Sequence, residues 1–196
     1  DGKDDILTSA PSRNSNAGET LLTFGASEAS LDTHSSVSGD GSTVISFRGK
    51  ANEYSGYGIA GIGDINHDGI ADFAISSTFS GLDGRIFVIF GNSNRAQLQA
   101  LATQIANVGF QSALNGTNGF SLINPAYSSV AGVQTNMGNT IVGLGDFNGD
   151  GIDDFAFTEE LVGVVVIVYG RSTSFSATID VEASLLNPNL MVGIAA

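Results

Sequence analysis

A thirteen-residue phrase occurs twice in this chain. Residues 63–75 read GDINHDGIADFAI, and residues 145–157, 82 positions later, read GDFNGDGIDDFAF. The opening residues, DGKDDIL, match the second half of both copies. Asp1 stands where Asp68 and Asp150 stand, and Asp5 where Asp72 and Asp154 stand. A second shared element follows each copy: GETLLTFG (18–25), GRIFVIFG (84–91) and GVVVIVYG (163–170). Internal repetition constrains the fold more than any residue propensity does. Each repeat is one supersecondary unit that buries its apolar face only by stacking on its neighbours.

The glycine-bracketed runs read as buried strands entered and left by turns. The short apolar and aromatic runs after the loops, DFAIS and DFAFT, also read as strands. Ahead of each complete loop lies another glycine-punctuated stretch, SGYGIAGIG (55–63) and NMGNTIVGLG (136–145). The repeats recur at 67 and then 82 residues, counted from Asp5 to Asp72 to Asp154. About four short strands in such a repeat predict an all-β chain of propeller-type blades, each of four antiparallel strands. The repeats run approximately over 1–49 with a truncated start, 50–124, and 125–196 with a truncated end. Residues 1–196 are expected to form part of one β-propeller domain. Three blades make an incomplete ring, so the expectation is an internal piece of a longer propeller protein. Only residues 95–108, RAQLQALATQIANV, argue for helix, with apolar positions at Leu98, Leu101, Ile105 and Val108. They read as an insertion between strands.

The loops carry the chemistry. Asp64, Asn66, Asp68 and Asp72 occupy positions 1, 3, 5 and 9, and Gly69 permits a sharp turn. With the Ile70 carbonyl at position 7, five hard oxygen donors are available. The second loop repeats them with Asp146, Asn148, Asp150, the Ile152 carbonyl and Asp154. Calcium takes about 6–8 oxygens, whereas magnesium demands stricter geometry and keeps more waters. The cofactor expected is therefore Ca2+, structural, in about two complete sites. An incomplete loop at Asp1, the Lys3 carbonyl and Asp5 supplies only three donors. An EF-hand loop would end in a bidentate Glu at position 12 between helices. Position 12 here is Ile75 or Phe157, and β-type sequence lies on both sides. An Asp/Asn/Gly-rich turn is often only a turn. Two copies with identical spacing and a matching half favour the metal.

The pattern Gly-Asp-x-Asn-x-Asp-Gly-x-x-Asp, set between a Gly-rich strand and a Gly-bracketed strand, resembles the FG-GAP repeat of integrin alpha-subunit propellers and bacterial surface proteins. Tyr57-Gly58 and Met137-Gly138 stand where that family has Phe-Gly, and Ser9-Ala10-Pro11 where it has Gly-Ala-Pro. The other copies depart there, with ISS (75–77) and FTE (157–159). The resemblance covers essentially the whole chain as three imperfect repeats. It implies a propeller, structural calcium in loops on one face, and ligand binding on an outer surface.

Composition narrows the function. Asp and Glu number 20 against 7 Lys and Arg, a formal net charge of −13, which disfavours nucleic acid. Ten of those acids fall in the three loop windows. There is no cysteine, and no apolar run is long enough to insert in a membrane. Gly56, Gly58 and Gly61 spell G-x-G-x-x-G, but an aspartate loop follows where a dinucleotide site needs a helix. His67, at position 4 of its loop, is expected to face solvent, and His34 has no visible partner. Asn115-Gly116-Thr117 is a glycosylation sequon. No nucleophile elbow or triad is present, so the chain is not expected to be an enzyme. The reading is a calcium-stabilised recognition or adhesion module of an FG-GAP protein, extracellular or at the cell surface. Its partners would be a protein or glycan ligand, or neighbouring chains joined through open sheet edges. The alternatives are a non-catalytic propeller domain of a secreted hydrolase and a structural subunit of a surface filament or matrix.

Overall fold

The computed structural model describes residues 3–25, 43–78, 84–125, 136–160 and 163–195. Asp1 and His34 lie outside the described residues. Among the described residues the chain is mostly β and forms three sheets rich in antiparallel pairs, with no closed barrel.

The first sheet runs in the order β1 (Ile6–Ala10), β2 (Glu19–Thr23), β3 (Val44–Arg48). A single turn, α1 (Arg13–Asn16), lies between β1 and β2, and its Asn14, Ser15 and Asn16 are left-handed. The second sheet is a meander of β4 (Ser55–Gly63), β5 (Asp72–Ser77), β6 (Arg85–Ile89) and β7 (Gly119–Ile123). Two helices, α2 (Arg95–Val108) and α3 (Phe110–Ala113), separate β6 from β7. The third sheet takes the order β8 (Ile141–Gly145), β9 (Asp154–Glu159), β10 (Val164–Val168), β12 (Met191–Ala195). The three glycine-bracketed runs thus become β2, β6 and β10.

One strand departs from the expected antiparallel pattern. After β10 the chain crosses to the second sheet and adds β11 (Thr178–Asp180) parallel to β7. The short helix α4 (Val181–Ser184) then leads it back to β12. The crossing is anchored by Phe175, stacked on Phe120 with centroids 4.6 Å apart. It covers the backbone edge that β7 would otherwise present.

The second sheet lies between the other two, which explains its nearly continuous apolar strands. Along β5 and β6, Phe73, Ile75, Phe87 and Ile89 face the first sheet and α2, while Ala74, Ile86 and Val88 face the third. The residues opposite on the third sheet are Phe155, Phe157, Val166 and Val168. Helix α2 follows the predicted bounds and buries Leu98, Leu101, Ala102 and Ile105. Its Asn94 cap accepts the Ala96 amide at 3.1 Å. Val108, expected on the same apolar face, is instead 39% exposed in the last turn. Buried polar groups tie the sheets together: Asn124, after β7, donates to Glu159 at the end of β9 at 2.6 Å. Among the described residues no helix is long and apolar enough to cross a membrane.

Candidate metal centre

Each complete loop begins at a β-bulge. The register of β4 on β5 shifts between Gly61 and Gly63, and that of β8 on β9 shifts between Gly143 and Gly145. Gly63 and Gly145 have φ of +76° and +67°. The bulge turns the strand out of the sheet so that the loop residues that follow can curl back.

Within the loops most hydrogen bonds repeat; the second adds the Gly149 amide on Asp146 at 2.7 Å and the Asn148 amide on Asp154 at 3.2 Å. Asp64 accepts the amides of Asp68 on Oδ1 at 3.0 Å and Gly69 on Oδ2 at 2.8 Å. Asp146 accepts those of Asp150 at 3.0 Å and Gly151 at 2.9 Å. The Asn66 Oδ1 also accepts from Asp68, and its Nδ2 donates to Asp68 Oδ2 at 2.9 Å. Asn148 does the same with Asp150, at 3.0 Å from Nδ2. Asp68 and Asp150 each take the amide two residues on, that of Ile70 or Ile152, at 2.9 Å. Positions 1, 3 and 5 are therefore brought together in both loops, by carboxylates and amides closing on the loop's own N–H groups.

Position 9 is different. Asp72 and Asp154 are the first residues of β5 and β9, and both are buried. Asp72 Oδ2 takes the Ile65 amide at 3.0 Å, and its Oδ1 takes that of Gly91 at 2.8 Å. Asp154 likewise takes Phe147 at 2.9 Å and Gly170 at 2.8 Å. Asp5 takes Gly25 at 2.8 Å. In all three repeats this aspartate pins the glycine that closes the following strand. A side chain at Gly25, Gly91 or Gly170 would collide with the carbonyl of Asp4, Ala71 or Asp153, the residue preceding the aspartate. Sequence spacing assigns position 9 a ligand role only. Its clamping role is not visible there, although the shared glycine at 25, 91 and 170 is the signal for it.

Burial pushes the Asp72 carboxyl up to about 7, and the nearby Asp68 and Asp64 carboxylates add to it against the amides of Gly91 and Ile65. Burial also pushes Asp154 up, with Asp150 adding to it, against the amides of Gly170, Asn148 and Phe147. Among the described residues, no three acidic, imidazole or thiol groups converge tightly enough to hold an ion as the side chains stand. The donor set still fits a hard cation. Each carboxylate oxygen has lone pairs beyond the one an amide occupies, and three acids within nine residues repel one another. A calcium ion would be held by Asp64, Asn66, Asp68 and Asp72, or by their second-loop counterparts, and would supply compensating charge. Ile70 and Ile152 pack their side chains on Gly91 and Gly170. His67 is exposed and left-handed at φ +61°, where the second loop has Gly149.

A cleft of about 440 Å3 opens beside the first loop, between Asp68 and helix α2. Asn92, Gln97, Gln104 and Asn118 line it, together with Phe90. No family model matches the chain, and no curated protein is significantly similar to it.

Proposed function

We propose that the chain is a calcium-stabilised recognition module, built of propeller-type blades of the FG-GAP kind and working outside the cell or at its surface. The observation that carries this is the loop network: two loops 82 residues apart in sequence share their ligand positions and the hydrogen bonds that join them. Plain turns need no such identity. The four-stranded meander β4–β7 and the order β8-β9-β10-β12 support the blade reading, as does the contact of β4 with β8. Calcium in these loops would be structural, locking each bulged strand to the hairpin that follows. The amide-lined cleft beside Asp68 suits a neutral, hydrogen-bonding ligand, a glycan or a protein loop.

Calcium titration by calorimetry, with the melting temperature followed in parallel, tests this. Two ions with Kd on the order of 10⁻⁴–10⁻³ M, the range of extracellular calcium modules, and a rising melting temperature are expected. No binding at millimolar calcium would reduce the loops to turns.

A second reading, a structural subunit joined to neighbouring chains, is favoured by the outer face of the third sheet. Ala156 and Ile167 in its middle are buried, but Val142 and Ile194, on the edge strands β8 and β12, are 48% and 50% exposed. Regular assembly of the purified chain would support it, and a monomer at all concentrations would remove it.

A further inference from the structure

The two loops touch each other, and the contact is made by residues that the ligand pattern leaves out. Asp153, at position 8 of the second loop, reaches back to the first. Its Oδ2 accepts the amide of Asp64 at 2.8 Å across 89 positions of sequence. Its carboxylate occupies the space that a side chain at Gly63 would need. The first loop has Ala71 at this position and returns no such arm. A second link runs through the backbone. Asp154 holds the amide of Gly170, the next residue, Arg171, donates its amide to the Ile65 carbonyl at 2.9 Å, and the Ile65 amide is held by Asp72. The two buried position-9 carboxylates are thus joined by a continuous run of hydrogen bonds and backbone.

Resting on the calcium reading above, we infer that Asp153 is a positioning residue for the first loop and that the two loops take up their ions as a coupled pair. Filling the second loop fixes Asp150 and Asp154 on either side of Asp153. The Asp153 arm then holds Asp64, the first ligand of the other site, in place. Ordering that has already been supplied at one site does not have to be supplied again at the other, so each ion raises affinity for its neighbour. Reciprocity requires the effect to be equal in both directions.

The experiment is calcium calorimetry on the full chain and on variants that disable one loop at its exposed position 5, Asp68→Ala or Asp150→Ala. Dividing the two-ion constant of the unaltered chain by the product of the two single-loop constants gives the coupling factor. A factor of about 5 or more is expected. Asp153→Ala should lower it toward one, leaving only what the Gly170–Arg171–Ile65 link carries, and Asp153→Asn, which keeps an acceptor oxygen, should largely restore it. A general loss of stability would not produce that split. Two ions bound with a coupling factor of one would overturn the inference and leave the calcium reading standing. No binding by the unaltered chain would overturn both. Should Asp153→Ala fail to fold, the unaltered chain and the two single-loop variants still decide whether the loops are coupled, and Asp153→Ser, too short to reach the Asp64 amide, decides the part of Asp153 by the same factor.

Discussion

The loops at 64–72 and 146–154 share their ligand types, their spacing and most of their hydrogen bonds, yet they live in different surroundings. Position 2 shows it best: Ile65 is fully buried, whereas Phe147 is 57% exposed. The first loop is roofed by Asp153 of the second loop and by Arg171, just after β10. Among the described residues, no such pair of hydrogen bonds reaches the second. Local sequence therefore specifies the shape of the loop, and the neighbouring sheet specifies its dielectric. The same aspartate at position 9 is pushed up by burial in both loops, to about 7 at Asp72.

The sharpest way to separate the loops is pH, on the chain stripped of divalent ions. The folded pKa of Asp72 lies above its unfolded value of about 4, so between those values the native state binds more protons. The stability that Asp72 contributes is then fully present below about pH 4, falls as pH rises, and levels off above about 7. A carboxyl moved from about 4 to about 7 changes stability across that window by on the order of 4 kcal/mol. Urea melts at pH 4 and 7.5 should show this fall in the parent. Asp72→Asn should flatten it more than Asp154→Asn does. Equal slopes for both variants would mean the two surroundings do not differ. Added calcium should oppose the fall, because it stabilises the ionised form.

Truncation at position 2 should give the next largest contrast. Ile65→Ala empties a fully buried site and should cost about 2–5 kcal/mol. Phe147→Ala on the surface should stay within about 0.5 kcal/mol. The midpoint of denaturation reads both. The glycine clamps should, by contrast, respond alike. Gly91→Ala and Gly170→Ala each force a methyl group into a backbone carbonyl and should cost about 1–3 kcal/mol in thermal melts. If only one of them were costly, the clamp would not be common to the repeats. The smallest effect is expected at position 4. His67→Gly relieves a left-handed residue and should stabilise by about 1 kcal/mol, with Gly149→His losing a similar amount.

These contrasts also mark where sequence stops being legible. Loops, strands and helix α2 are readable because their signals are local: alternate oxygens, glycines bracketing apolar runs, and a helical period over 95–108. The same locality explains what the sequence hides. Asp153 looks like one more acid in an acidic window, and its partner lies 89 residues away. β11 is three residues long and joins a sheet other than the one its flanking strands form. Nothing in TID announces that choice, which depends on the free edge of β7 and on the Phe120–Phe175 stack. The clamping role of Asp72 is hidden for another reason. A carboxylate placed to bind metal and one placed to hold two amides can share a single sequence position.

The crossing strand has a mechanical consequence. β10 and β12 belong to the third sheet, and between them the chain is stitched to the second through β11. A pull on the C-terminal end strips β12 from β10 first. The load then passes to the β11–β7 pairing, at the edge of the second sheet, while β8 and β9 are still in place. Tension applied at this end is felt across two sheets almost at once, and the third sheet cannot peel away as an independent layer.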